Sequence, residues 1–188
     1  MPSPLGHALA GIAAGWLVAG RLAPGLHATL FVPGSIRRLG LAASYEVSGV
    51  AMEAAALGLA GAAPDLDLLA GTHSTYTHSI GAVAIVYAVA FWFTKRPRVA
   101  LACAAAWASH LVLDWLGSDS SPPIGIMALW PLSDAYSQST LHVFDAISRR
   151  YWLPREFIAG NVRAAAKEVL LLAPVTWAAY ASAVIRRR

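Results

Sequence analysis

Apolar residues run along this chain in long, uninterrupted stretches, and polar residues gather at the ends of those stretches. Five helices are predicted: Pro4 to Leu22, Glu46 to Ala62, His78 to Thr94, Arg98 to Leu116, and Asn161 to Ile185. Strict polar–apolar alternation is hard to find, so strands are poorly supported, and the expected fold is all-α: a compact bundle of about five apolar helices. A Pro/Gly-broken loop separates the first two helices. A long connection holding SDSSPPIGIMALWPLSD and SRRYWLPREF separates the last two. No predicted helix is a clean apolar run of about 20 residues, the length that crosses a ~30 Å hydrocarbon core untilted. Ile80 to Phe93 is the best candidate, and Val169 to Ile185 contains Pro174, which a membrane helix tolerates.

Composition moves this picture toward the membrane. The 188 residues suit a single domain, 1–188, and 57% of them are hydrophobic against 13% charged. The net charge of +4 comes from short basic groups beside apolar segments, a placement that suits lipid headgroups and speaks against a nucleic-acid partner. Cys103 is the one cysteine, so no internal disulfide and no thiolate metal site forms; it reads as buried filler. The N-terminus resembles a secretory signal but lacks a basic leader, carries two prolines and holds His7 in its apolar part, so it is expected to stay in the mature fold.

The polar residues converge. The third and fourth helices turn back at KRPR, residues Lys95 to Arg98. His78 lies about 18 residues before this turn and His110 to Asp114 about 14 to 18 after it, so at ~1.5 Å per residue they arrive at one height. His110 and Asp114 are four apart and share a helix face. An antiparallel pairing of the first two helices brings His7 beside Asp65 and Asp67 of PDLD. One end of the bundle thus collects His7, Asp65, Asp67, His73, His78, His110 and Asp114. The other collects Arg21, Arg37, Arg38, Lys95, Arg96, Arg98 and Arg186 to Arg188. Read singly, Asp65 is a helix cap and Asp114 a carboxylate paired with His110. Read together, so many imidazoles and carboxylates at apolar helix ends need a cation or a full hydrogen-bond network. His27 reads as a surface or core residue, and His142 and Asp145 are too weakly placed to count as ligands.

Ligation by His and Asp alone suits Zn²⁺ first and Mn²⁺ or Fe²⁺ next, and the number of donors allows two or three ions. Such a centre clamps phosphoryl groups and supports phosphoester hydrolysis. Asp65 or Asp67 then bridges ions or acts as general base, and the other orients a ligand imidazole.

The ordered set GHALAG, PDLDLL, HSTYTHS, HLVLDW and IGIMALWPLSD resembles the family of bacterial membrane-bound metal-dependent hydrolases over about residues 3 to 136. Ser74 and Thr75 stand where that family usually has Arg and Gly, so a phosphate-directed arginine from this box is missing. More distantly, the order of His, Asp and His-x-x-x-Asp is similar to zinc-dependent phospholipase C and related single-strand nucleases, all-α enzymes with three zinc ions. The resemblance implies a phosphodiesterase-class hydrolase at the bacterial inner membrane, acting on a small phosphoester or a membrane lipid.

Trp130 and Pro131 are expected to form a wall or lid over the ligand-bearing end, and SRRYWLPREF, with Arg149, Arg150, Arg155, Tyr151 and Trp152, a headgroup-level anchor. Nine basic residues at the turn end and tail against five on the ligand side (Arg149, Arg150, Arg155, Arg163 and Lys167) place the site on the periplasmic face. The competing class is a non-catalytic membrane protein whose metal cluster ties helix ends together or which binds a partner. A transporter is a weaker reading, since paired inverted halves are not evident.

Overall fold

The computed structural model describes residues 1–22, 42–70, 73–119, 122–148 and 152–185. Among these residues are five helices, α1 (Pro4–Ala19), α2 (Ala42–Ala62), α3 (Ile80–Thr94), α4 (Pro97–Leu116) and α5 (Pro154–Ile185), with 3₁₀ turns at Ala63–Ala70 and Tyr76–His78. Among the described residues there is no strand, only the isolated bridges Gly117–Phe144 and Ile126–Ser137. His27, Arg37, Arg38, Arg149, Arg150, Tyr151 and Arg186 to Arg188 lie outside the described residues.

The helix limits follow local chemistry. Ser3 caps α1, its side chain accepting from Gly6 N at 3.2 Å, and Gly20, at φ 67°, ends the helix before the predicted Leu22. Ser79 caps α3 through Ala82 N at 3.2 Å, so α3 begins just after His78 rather than at it. Pro97 opens α4 and Pro154 opens α5, first-turn positions where proline's missing N–H costs nothing. The α5 helix thus starts well ahead of Asn161 and continues through Pro174.

Helix α1 packs against α2, α4 and α5, whereas α3 packs against α4. The α1–α2 crossing is antiparallel and very close. A Cβ at Gly61 would sit 2.5 Å from His7 O and 2.9 Å from Gly11 Cα, and one at Gly15 would collide with Leu57. Small residues let backbones approach this closely in a membrane, where packing and not water exclusion associates helices. The core continues as Ala13, Trp16, Ala102, Ala106, Ala179 and Ala183, with half-buried Cys103 packed on its edge. Helix α5 runs parallel to α1: Glu168 receives Ser3 N at 2.7 Å and also the Ser3 hydroxyl, and Thr176 donates to Leu9 O at 3.1 Å.

Two helices, Pro97–Leu116 and Phe157–Ile185, are long and apolar enough to cross a membrane; α1 and α3 are shorter apolar helices. Polarity changes along several helices at one level. Helix α4 carries no charge between Arg98 and Asp114, and α3 none before Lys95. In α5 the charges Arg155, Glu156, Arg163, Lys167 and Glu168 give way to an uncharged run from Val169 to Ile185. Glu168 bonds Ser3, so this boundary falls at the start of α1, level with the His/Asp end of α4. Ile85, Val89, Phe91, Leu170, Leu171 and Trp177 are exposed on the far side of this boundary, where lipid is the solvent.

The connection between α4 and α5 folds across the polar end. Met127 N donates to Ser74 O at 3.0 Å, while Ile80 N and Gly81 N donate to Ala128 O and Trp130 O, each at 2.9 Å. These carbonyls satisfy first-turn N–H groups of α3 that have no partner inside the helix. The Trp130 segment is therefore pinned to α3 as a wall.

Candidate metal centre

Four side chains meet at the polar end: Asp65 from the turn after α2, His78 just ahead of α3, and His110 and Asp114 from one face of α4. His78 Nε2 lies 3.0 Å from His110 Nε2 and 3.3 Å from Asp114 Oδ2, and the latter two are 3.1 Å apart. Asp65 Oδ1 stands farther out, 3.7 Å from His78 and 3.6 Å from His110. A tetrahedral ion with bonds of about 2.0–2.2 Å has donor–donor edges of about 3.3–3.6 Å, which these distances bracket. Two carboxylates and two neutral imidazoles sum to two negative charges, the balance of a divalent cation.

Hydrogen bonds set the ligand atoms. A carbonyl only accepts, so the 2.8 Å contact of His110 Nδ1 with Gly61 O puts the proton on Nδ1 and leaves Nε2 as the donor atom facing the cluster. His7 is wholly buried and stacks on His110, ring centroids 3.7 Å apart, with Nε2 3.4 Å from Asp114 Oδ1. Both ring nitrogens of His7 and both oxygens of Asp114 lack a hydrogen-bond partner although buried. Leaving such groups unpaired costs several kcal/mol, about 1–3 for each polar group and more for a charge. A cation between them removes that cost.

Asp67 sits behind the four, with both oxygens engaged. Oδ1 accepts from His73 Nδ1 at 2.8 Å; Oδ2 accepts from the Thr77 hydroxyl at 2.8 Å and lies 3.1 Å from His78 Nδ1. Burial pushes the Asp67 pKa up, but bonds from His78, His73 and Thr77 outweigh it and hold it at about 2. Burial pushes His78 down, yet the carboxylates of Asp114, Asp65 and Asp67 beside it raise it to about 11. Asp65 is also lowered, burial opposing and the His78 bond prevailing. Without a metal, the His78 proton thus stands where a cation would. Asp67, His73 and His78 form a second group of possible ligands sharing His78 with the first.

The structure therefore brings His7, Asp65, Asp67, His73, His78, His110 and Asp114 to one end, as inner donors and flanking groups. His142 and Asp145 stay apart, the latter paired with Lys167 at 3.0 Å. Three contributors escape a reading by residue type: the Gly61 carbonyl, the Thr77 hydroxyl and Glu168. The Gly11-x-x-x-Gly15 spacing was a signal for the close crossing that places Gly61.

Fold and site define an all-helical bacterial membrane protein with a buried His/Asp cluster at one end of its apolar helices. The chain belongs to the YdjM inner membrane protein family, whose model matches residues 1–187. No curated protein and no solved structure matches it.

Proposed function

We propose that this chain is a metal-dependent hydrolase of phosphoesters, of the phospholipase C-like phosphodiesterase class, working at the inner membrane. One observation carries the reading: His78, His110 and Asp114 offer three donors within 3.0–3.3 Å of one another, while the fourth, Asp65, is set back and is the most exposed of the four. Three close protein ligands with one open position mark catalytic rather than structural zinc. Bound Zn²⁺, or Mn²⁺ or Fe²⁺ in its place, supplies Lewis acidity toward a phosphoryl oxygen and lowers the pKa of water. Asp65, beside the open position, accepts a proton as general base. Asp67 holds His78 and His73 in orientation, and His7 supplies a further donor to Asp114's side of the cluster. Lys95, Arg96 and Arg98, the basic group at the turn opposite the site, support a site on the periplasmic face.

The test is metal analysis of the purified full chain, then hydrolysis of a chromogenic phosphodiester with and without chelator. Bound metal, turnover abolished by chelator, and loss of metal in both His78→Ala and His110→Ala are expected. Asp65→Asn should keep its metal and lose about 100-fold or more in turnover. Full metal occupancy in both histidine variants sinks the site. A second reading stands on Asp65 completing a four-donor shell: a structural metal tying helix ends together, which bound metal without turnover on any ester would establish.

A further inference from the structure

Large apolar side chains stand exposed on the chain segments that carry the candidate site and its wall. Leu66 lies between Asp65 and Asp67 and is 63% exposed, and Leu69, two residues after Asp67, is 87% exposed. Tyr76, next to Thr77, stacks edge-on against Trp130 at 5.3 Å and is itself exposed. Leu129 follows the Ala128 carbonyl bonded to α3, and Leu132, 82% exposed, follows the Trp130 wall. Asp65, the most exposed of the four cluster residues, adjoins Leu66 in the chain. Water alone does not favour five such side chains around a charged cluster.

The depth of the cluster identifies what covers them. From Pro97 to Asp114 is about 17 residues of helix, about 26 Å at ~1.5 Å per residue, and the run from Glu168 to Ile185 is of equal length. A hydrocarbon core is ~30 Å thick. With Lys95, Arg96 and Arg98 at one headgroup layer, the cluster lies at the opposite edge of the acyl region.

We propose that the site opens sideways into one leaflet of the bilayer, and that the molecule it takes is a phosphoester lipid whose acyl chain rests on Leu66, Leu69, Tyr76, Leu129 and Leu132 while its headgroup reaches Asp65. The opening is a statement about the surface alone; the choice of a phosphoester headgroup rests on the hydrolase reading above.

Two measurements separate these. Nitroxide labels at Leu69→Cys and Leu132→Cys, in full-length Cys103→Ala protein reconstituted in vesicles of mixed zwitterionic and anionic phospholipid, report exposure to oxygen and to a water-soluble nickel chelate. Labels at Ile85→Cys and Arg155→Cys calibrate the lipid and water extremes. The rim labels should be relaxed by oxygen as the Ile85 label is. Relaxation by the nickel chelate, or shielding from both reagents by covering protein, overturns the sideways opening even if a soluble ester is hydrolysed. Separately, the wild-type protein should prefer a long-chain phosphodiester lipid to its water-soluble headgroup analogue in kcat/KM, and Leu69→Gln/Leu132→Gln should cut that preference by about tenfold or more, the effect of losing one buried leucine contact. Equal rates on both esters overturn the lipid assignment. Oxygen-accessible rim labels with no turnover of either ester defeat the hydrolase reading and leave the sideways opening standing.

Discussion

At the scale of single residues, His78 is the pivot, because one ring nitrogen faces the cluster and the other faces Asp67 and Thr77. Held at about 11 without metal, it is protonated at neutral pH, whereas a metal ligand is a neutral imidazole. Metal uptake at pH 7 should therefore release close to one proton from His78, and affinity should rise about tenfold per pH unit above neutrality. Titration calorimetry in buffers of different ionisation enthalpy checks this; metal uptake without proton release would contradict it. The same shifts set the stability of the metal-free protein. The raised His78 contributes stability fully present below its ordinary value of 6.5 and lost as pH climbs through about 11. The depressed Asp67 contributes stability present above 3.8 and lost as pH falls through about 2. Chelator-treated protein should thus melt highest between these two ordinary values.

At the scale of elements, the α1–α2 crossing couples packing to ligand orientation. Gly61 brings its Cα against Gly11 and its carbonyl to His110 Nδ1. Alanine there gains up to about 1 kcal/mol in helix propensity but meets backbone at 2.5 Å, an overpacking cost of about 1–3 kcal/mol. Gly61→Ala should lower both the melting temperature and metal affinity. Gly58→Ala, whose Cβ meets side chains at 3.4–3.6 Å, should be neutral or stabilising. Thermal unfolding with metal titration of the two variants decides the matter; equal behaviour would remove the crossing from the account of His110. Equal helix lengths about the Lys95–Arg98 turn made the meeting of His78 with His110 and Asp114 legible in advance. The early start of α5 was harder to read, because Pro154 opens it inside a Trp/Arg-rich segment whose composition suggests a loop.

At the scale of the whole molecule, the asymmetry between a His/Asp end and a basic end gives the chain a direction across the membrane. A membrane-impermeant maleimide should label Ile124→Cys in intact cells and leave Lys95→Cys unlabelled until the membrane is opened, both in a Cys103→Ala background. The reverse pattern would turn the site toward the cytoplasm while leaving the cluster intact. The lipid-facing residues of α3 and α5, including Phe93 and Trp177, show that much of the apolar composition serves the outer surface. The interior is filled largely by alanine.

The order of apolar and polar residues by itself determined that this is an all-helical chain whose imidazoles and carboxylates lie at one level, because helix rise converts sequence distance into height. Rotation about the helix axes and the choice of neighbours were decided only by the tertiary structure. Those settle that Asp65 faces the open side while Asp67 turns back to two histidines, that a glycine carbonyl selects the His110 tautomer, and that Glu168 fastens α5 to the start of α1. Each depends on contacts between residues far apart in the chain, and no local periodicity encodes them.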